Sequence, residues 1–412
     1  MMNQVKKNIQ YLYSMDTIKD LQMLQTPCFI LDLEELERSV KGFYGALANH
    51  FDKVVLGYSV KTNSLPYGLK KAGEWGAYAE VVSFDEYELA KVCGFSPDHI
   101  IYNGPMKSKE TFLEAVMHKA IVNIETRREL DWLRELPANR VFQVGLRLNI
   151  NISHISEEDA DGENDNSRFG FSDETDDFKE ALQVIDKLPN IQLKGLHLHR
   201  TSHSRSLQFY RRSISHGCEI IKKYGLNLDY MDIGGGFFGI FPNKPTYQQY
   251  SDVIYQTLQR YGMDHLMIVV EPGNALVASC FQFLTEVIDI KHVEKDCWFV
   301  TTDGSRNDID PFFRKSGYFY EILSQNTEKE YVTNQIVSGC TCLEYDRLFS
   351  IKDSSLLSVG DRILYKNVGA YTFTLSPMFI RFIPTIYAKE ENGYKLIREK
   401  WTVEEFIQKS II

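Results

Sequence analysis

The sequence Tyr58-Ser59-Val60-Lys61-Thr62-Asn63 places a lysine directly after a short apolar run. The run Val54–Leu56 ends at Gly57, and residues 65–75 alternate apolar and polar side chains at helical spacing. This order predicts a buried strand, a loop that carries Lys61, and a helix, as at the catalytic face of a barrel of strands and helices. Burial predicts a lowered pKa for the Lys61 amine, which would favour attack on a carbonyl group. The alternative is a surface lysine after a core strand.

The composition is typical of a globular protein with a large core. The chain has 412 residues, enough for two domains, and 43% of them are hydrophobic and 25% charged. The formal net charge of -10 disfavours nucleic acid and anionic membranes as partners. No apolar run reaches membrane-spanning length, and the N-terminal sequence lacks the apolar core of a signal peptide. The seven cysteines are scattered and odd in number, which predicts a cytoplasmic protein.

Strand-like and helix-like patterns alternate over most of the chain. After Pro272 the composition changes, and residues 280–390 are rich in β-branched and aromatic residues. The sequence therefore predicts an α/β fold with a parallel (β/α)8 barrel, followed by a mostly antiparallel β domain. The eight barrel strands are expected at Val54–Tyr58, Tyr78–Val82, Ile100–Tyr102, Ala120–Ile124, Phe142–Leu148, Leu193–His199, Tyr230–Ile233 and Met267–Glu271.

Further candidate site residues lie at the predicted ends of other strands. Gly234-Gly235-Gly236 would let the backbone approach a phosphate, and Glu271 needs a cationic or protonated partner if buried. His197 and His199 lie two apart on one predicted strand and would share a face. No third ligand lies nearby in the sequence, so we expect these histidines to be core residues and not metal ligands. With Lys61, these groups could hold pyridoxal phosphate by a covalent bond, a stacked ring, a phosphate turn and a partner for the ring nitrogen.

The order of these motifs resembles that of the diaminopimelate/ornithine decarboxylase family, whose fold is that of alanine racemase. The resemblance extends from Thr26-Pro27 to Tyr371. The hexapeptide around Lys61 resembles the family's cofactor-lysine motif. The other matching segments, in family order, are Glu80-Val81-Val82-Ser83 with Glu86, Ser167-Arg168-Phe169-Gly170, His197-Leu198-His199-Arg200-Thr201-Ser202, Gly234–Gly236, Glu271, Gly339-Cys340-Thr341-Cys342-Leu343-Glu344-Tyr345-Asp346 and Gly369-Ala370-Tyr371.

The resemblance implies pyridoxal 5'-phosphate as cofactor, no metal, and a role for each matched residue. The implied catalytic residues are Lys61, Glu271, His199 and Cys342. Lys61 would bind the cofactor covalently, and Cys342 would return a proton to the substrate. The implied cofactor-binding residues are Lys61, His199, Ser202, Gly234, Gly235, Gly236, Glu271 and Tyr371.

The resemblance also implies how the chain is organised. It places the cofactor-binding barrel at residues 35–275 and a β domain at residues 1–34 and 276–412. It further implies a head-to-tail homodimer in which Cys342 and Tyr371 enter the partner's active site.

The sequence departs from the family where the distal end of the substrate is expected. Leu343 replaces an acidic residue, Asp310 stands where an arginine is usual, and Asn274 replaces another arginine. Arg147 is a further candidate substrate contact, and Thr201 replaces a glycine. Because an unpaired buried charge costs ~2–5 kcal/mol, these departures predict a substrate whose distal end is neutral, amidated or tethered to a carrier protein. The resemblance implies a role of this kind, since family members in siderophore, peptide-antibiotic or carrier-protein-bound pathways have such substrates.

Three alternatives remain at the level of sequence. The first is an ordinary decarboxylase of diaminopimelate, ornithine or lysine. The second is an amino-acid racemase on the same fold, against which the spacing of Cys342 and Asp346 argues. The third is a binding homologue without activity, against which the retained Lys61, Glu271 and Cys342 argue.

Overall fold

The computed structural model describes residues 15–159, 167–200, 203–294, 296–324, 330–375 and 378–411. The predicted phosphate ligand Ser202 and its neighbour Thr201 lie outside these residues. The chain divides into two compact units, one formed by Glu34–Ser279 and the other by the residues up to Leu33 together with those from Cys280 onwards. Within the described ranges, no helix is both long and apolar enough to cross a membrane.

The unit Glu34–Ser279 is a closed parallel barrel, which confirms the first part of the predicted fold class. Eight strands pair in chain order, and Val269 of the last strand pairs with Val55 of the first. A short extra strand, Phe171–Ser172, pairs with the edge of the fifth barrel strand. The eight strands are Val54–Ser59, Tyr78–Ser83, Ile100–Met106, Ile121–Ile124, Phe142–Asn149, Ile191–His197, Tyr230–Asp232 and Met267–Val270.

The barrel helices carry explicit start and stop signals. Ser206 accepts a hydrogen bond from the Phe209 amide at the start of one helix, and Gly225, with φ of 63°, ends it in the left-handed conformation. The helices of this unit are Leu33–Ala48, Pro66–Glu74, Phe84–Val92, Lys109–Met117, Arg127–Trp132, Ile152–Ile155, Asp177–Asp186, Leu207–Tyr224, Tyr247–Tyr261 and Asn274–Val277, with 3-10 turns at Pro97–His99, Leu133–Glu135 and Glu157–Asp159.

The second unit is a mostly antiparallel sheet, which confirms the other part of the predicted fold class. Its longest strand, Phe281–Glu294, pairs antiparallel with Cys28–Asp32, Cys297–Thr302 and Arg362–Lys366. Buried Leu284 belongs to its apolar core. The remaining strands are Phe319–Leu323, Tyr331–Ser338, Arg347–Ser355, Thr385–Glu390 and Gly393–Arg398, and the helices are Met15–Met23, Arg306–Ile309 and Val403–Ile407.

Candidate active site

Lys61 lies in the turn between the first barrel strand and the helix Pro66–Glu74. Its amine lies 2.5 and 2.8 Å from the two carboxylate oxygens of Glu80, whose side chain is buried. Burial lowers the pKa of Lys61, but the attraction of Glu80 and Glu271 outweighs burial, so that its pKa is raised above the ordinary value. The predicted lowered pKa is therefore wrong, because the neighbouring strand supplies a carboxylate that the hexapeptide alone does not reveal.

Glu271 follows the last barrel strand and is almost completely buried. One carboxylate oxygen accepts a hydrogen bond of 2.5 Å from the Asn103 amide, and the other lies 3.6 Å from His197 Nε2. Its backbone N–H donates to the Gly234 carbonyl at 2.8 Å, which ties the strand end to the glycine turn.

A second buried acid, Asp232, contacts the same carboxylate. Burial and the charge of Glu271 raise the pKa of Asp232 well above its usual range. Burial also tends to raise the pKa of Glu271, but His197, Lys61 and the hydrogen bond from Asp232 hold that pKa below its usual range. Two adjacent carboxyl groups with pKa values pushed apart share one proton. The two opposite shifts favour the protonated form of Asp232 and the charged form of Glu271.

His199 lies beyond the strand end, since that strand stops at His197. The prediction that both histidines lie on one strand is therefore wrong, although their ring centroids are still 6.1 Å apart. His199 Nδ1 accepts a hydrogen bond of 2.9 Å from the Gly235 amide, and its carbonyl accepts one of 3.1 Å from Arg147. Burial, with the nearby Arg147 charge, places the pKa of His199 well below its usual range, so the imidazole is neutral.

The ligand atoms of His197, His199 and Glu271 all lie within 4.8 Å of one another, as in a metal site. However, a neutral His199 that accepts a hydrogen bond at Nδ1 must carry its own proton at Nε2. Neither nitrogen of His199 then has a lone pair for a metal. Two ligands would remain, and zinc sites take at least three from the protein.

The glycine turn packs against these site residues. A Cβ atom at Gly234 would lie 2.4 Å from His199 Nδ1, and one at Gly235 would lie 2.5 Å from the Glu271 carbonyl oxygen. The amides of both glycines already donate, to Asp232 and His199 respectively. Gly236, with φ of 88°, leaves room beside Tyr210. The first two glycines are therefore required by packing, and the third by its left-handed backbone conformation.

Arg147 and Asn274, which the sequence suggests as substrate contacts, both lie in the barrel unit. The Arg147 guanidinium binds Glu125 at 2.5 Å and stacks over the Phe169 ring, 4.9 Å from its centroid. Two of the guanidinium nitrogens of Arg147 thus hold Glu125 and the His199 carbonyl, whereas its Nε is buried without a hydrogen-bond partner among the described residues. Asn274 is half-buried and begins the short helix after Glu271.

Cys342 is exposed on a loop of the second unit. Buried Asp346 shapes this loop by accepting hydrogen bonds from the Thr341 amide and hydroxyl at 3.1 and 2.6 Å. A Cβ atom at Gly339 would lie 2.3 Å from the same carboxylate. The spacing from Gly339 to Asp346 therefore has a structural cause, since the aspartate folds the segment that presents Cys342.

Tyr371 and Asp310 lie elsewhere in the second unit. Tyr371 has a φ of 66°, a left-handed conformation that costs a non-glycine residue free energy and that clusters at functional sites. Asp310 is 2% exposed, and its carboxylate accepts hydrogen bonds from Arg306, Tyr318 and the amides of Arg314 and Lys315. Both oxygens of the Asp310 carboxylate are therefore already engaged by protein donors and not directed to a substrate.

The sequence reasoning missed three buried polar residues of the barrel interior. Asn103, Asn123 and Asp232 each interrupt an apolar strand and are at most 2% exposed. A polar residue at an inward position of such a strand was the available signal, because a buried polar group needs a partner.

These groups fit the pyridine ring and aldehyde of pyridoxal phosphate. The lysine amine and the Glu271 carboxylate belong to one polar cluster, and the neutral His199 offers a ring for stacking. The site is therefore that of a barrel enzyme whose lysine can take a carbonyl cofactor.

Comparison with known proteins gives the family. Residues 34–278 match the model of the pyridoxal-dependent decarboxylases, pyridoxal binding domain. The chain belongs to this family, and it is a carboxy-lyase that uses pyridoxal phosphate. The racemase and the inactive homologue considered above are thereby set aside.

Individual relatives span nearly the whole chain. A diaminopimelate decarboxylase of Aquifex aeolicus is 26% identical over 96% of this chain and 94% of its own length. An L-glutamyl-(BtrI acyl-carrier protein) decarboxylase of Niallia circulans is 25% identical over 93% of each chain. The crystal structure of M. jannaschii diaminopimelate decarboxylase with L-lysine is similar in fold, with a TM-score of 0.81, 23% identity, and 96% and 94% of the two chains covered.

Proposed function

We propose that the protein decarboxylates an amino-acid moiety whose distal end is neutral, amidated or tethered to a carrier protein. The observation that carries this proposal is the absence of an available charge at the two expected distal clamps. Leu343 is apolar, and the Asp310 carboxylate is already bound by Arg306 and Tyr318. A charged distal group would lose its water there without gaining a partner, at ~1–3 kcal/mol for each unmet hydrogen bond.

The relative from Niallia circulans supports the tethered form, since its name describes a glutamyl group on an acyl-carrier protein. Other relatives support a second candidate, free diaminopimelate or a similar diamino acid. The protein from Aquifex aeolicus carries the name of diaminopimelate decarboxylase, and the M. jannaschii enzyme was solved with L-lysine.

In the proposed mechanism, Lys61 and Glu80 begin the reaction cycle. The Lys61 ammonium must lose a proton before its amine can bind the cofactor covalently, and Glu80, at 2.5 Å, is placed to accept that proton. The cofactor, when bound, supplies the electron sink for breaking the bond to the carboxylate. Glu271 would hold a proton at the ring nitrogen of the cofactor, and His199 would offer its imidazole to the cofactor ring. The Gly235 amide and Arg147 fix the orientation of His199.

The second unit completes the site in this proposal. Carbon dioxide would leave, the thiol of Cys342 would give a proton to the carbon that carried the carboxylate, and solvent would return a proton to the exposed thiolate. We assign Cys342 and Tyr371 to the neighbouring active site of a homodimer. The exposure of Cys342 and the folding of its loop by Asp346 support this assignment.

Attachment of the cofactor to Lys61 is tested by borohydride reduction and peptide mapping. The adduct is expected on Lys61 and not on the buried Lys107, whose amine binds Glu129. An adduct on any other lysine would contradict the assignment.

A panel of amino acids tests the substrate class. We expect free diaminopimelate, lysine and ornithine to release carbon dioxide poorly, and amides, esters or carrier thioesters to react far better. Leu343→Asp should raise activity on lysine or ornithine, whereas Leu343→Asn, of similar size but uncharged, should not. Wild-type kcat/KM at or above ~10⁴ M⁻¹s⁻¹ on free diaminopimelate or ornithine would instead identify an ordinary member of the family.

A further inference from the structure

One asparagine joins the two carboxylates on which the cofactor site depends. The Asn103 side-chain amide donates to Glu271 at 2.5 Å and to Glu80 at 3.3 Å. Glu80 in turn binds Lys61 at 2.5 and 2.8 Å. The hydrogen bonds therefore run without interruption from the lysine, through Glu80 and Asn103, to Glu271.

The orientation of Asn103 is itself fixed by buried neighbours. Its side-chain oxygen accepts a hydrogen bond of 2.9 Å from Asn123, which also donates to Asp232 at 2.8 Å. The Asn123 oxygen accepts a hydrogen bond of 3.0 Å from the Tyr230 hydroxyl. All of these bonds require the assigned orientation of the side-chain amides. If Asn103 were flipped, its oxygen would lie against the carboxylate oxygens of Glu80 and Glu271, and no hydrogen bond could form there.

Two glycines of the barrel strands, Gly145 and Gly195, leave the space that the side chains of this network occupy. A Cβ atom at Gly145 would lie 2.1 Å from the Asn123 side-chain oxygen and 2.3 Å from the Tyr230 hydroxyl. One at Gly195 would lie 1.9 Å from the Tyr230 ring. Two neighbouring strands thus carry glycine where the network passes, as close approach requires.

The charges around Asn103 explain why a neutral donor stands there. Glu80 and Glu271 are both buried, and two such carboxylates repel each other strongly at low dielectric. An amide that donates one hydrogen to each lowers this repulsion without adding charge. Hydrogen bonds to charged groups are also the stronger ones, at ~1.5–3 kcal/mol each.

We propose that Asn103 is a positioning residue of the cofactor site. Its amide sets the distance and the orientation between the carboxylate that binds Lys61 and the carboxylate assigned to the ring nitrogen. A single side chain would thereby orient both the carboxylate beside the cofactor lysine and the carboxylate assigned to the ring nitrogen. The inference rests on the assignment of Lys61 and Glu271 proposed above and does not depend on which substrate is used.

The test compares three variants with wild-type protein. Asn103→Leu removes both donors, and Asn103→Ser keeps one. Asn190→Leu is the matched control, since Asn190 is also buried in the barrel unit but donates only to the carbonyls of Leu136 and Pro137. The dissociation constant of pyridoxal phosphate is measured by absorbance titration of the cofactor-free proteins, and their unfolding is followed in urea.

We expect Asn103→Leu to weaken cofactor binding at least tenfold, with Asn103→Ser in between and Asn190→Leu unchanged. The absorbance maximum of the bound cofactor should shift in the Asn103 variants only. If the folded Asn103→Leu or Asn103→Ser protein binds the cofactor within twofold of wild type, with an unchanged spectrum, Asn103 has a structural role alone. Peptide mapping of wild-type protein separates this outcome from a failed assignment of Lys61.

Discussion

The charge of Glu271 is the single-residue property on which the proposed chemistry depends most. Glu271→Gln keeps the size of the side chain but removes the negative charge that would hold a proton on the ring nitrogen. We expect turnover to fall by roughly 10²–10³, the scale for one preorganised electrostatic partner. Cofactor absorbance should show near-normal loading, and steady-state decarboxylation gives the rate. Near-normal turnover would mean that Glu271 does not serve the ring nitrogen.

Glu86 should make the stability of the barrel depend on pH. Burial raises the pKa of Glu86 from 4.5 to about 7, and the nearby Glu80 charge raises it too. The hydrogen bond from the Val82 amide and the Lys61 charge lower it in part. The folded state therefore binds more protons than the unfolded state between pH 4.5 and about 7. The free energy of unfolding should fall as pH rises through this window, by at most ~3 kcal/mol.

Glu86→Gln should remove this part of the pH dependence, because glutamine keeps the acceptor for the Val82 amide but does not titrate. Urea unfolding of the cofactor-free protein between pH 4 and pH 8 measures the effect. Asp85→Asn, an exposed acid in the same helical turn, is the control. An identical pH profile for wild type and Glu86→Gln would refute the prediction.

A fully buried ion pair joins Lys107, which follows the third barrel strand, to Glu129 in the helix Arg127–Trp132. Lys107 lies 3.1 Å from Glu129, and its amine also donates to the carbonyls of Gly104 and Asn123. Lys107→Met would leave the Glu129 charge buried without its partner, which should cost ~3–5 kcal/mol of the free energy of unfolding.

Lys109→Met provides a matched comparison. Lys109 pairs with Glu135 at a similar distance of 3.2 Å, but the two side chains are 43% and 50% exposed. Its loss should cost less than ~1 kcal/mol. Urea unfolding of both variants decides the matter, since equal losses would show that burial does not control the strength of these pairs.

The elements themselves could be read from local sequence. The bounds of the helices Leu207–Tyr224 and Tyr247–Tyr261 have local causes in the sequence, because Ser206 and Thr246 cap their starts and glycines end them. The eight strands were also found, with ends shifted by up to two residues in most cases. Apolar runs and capping residues are local signals, which a single sequence contains in full.

The sequence identified the motif residues of the site but not the contacts between them. The pKa of Lys61 was misjudged because Glu80, nineteen residues away, comes close only when two strands pair. The Asn103–Glu271 contact joins residues 168 positions apart, and no local pattern contains it. His199 was placed on a strand because Leu196-His197-Leu198-His199 alternates apolar and polar residues, whereas the strand ends at His197 and the His199 ring meets the Gly235 amide.

For the whole molecule, the proposed homodimer makes a prediction about mixtures of inactive variants. Lys61 and Cys342 belong to different units of the chain, and in the proposal each active site takes Lys61 from one subunit and Cys342 from the other. Lys61→Ala and Cys342→Ala should each be nearly inactive alone. In a mixed dimer one of the two sites receives both alanines, and the other site is intact.

Equal amounts of the two variants, dissociated and reassociated at random, should therefore recover about a quarter of wild-type activity. Decarboxylation by the mixture is measured against each variant incubated alone, and wild-type protein dissociated and reassociated in the same way controls for the effect of reassociation itself. If each site used both residues of one subunit, every mixed dimer would contain two defective sites, and mixing would restore no activity. Recovery thus separates a shared site from a self-contained one, whatever the substrate proves to be.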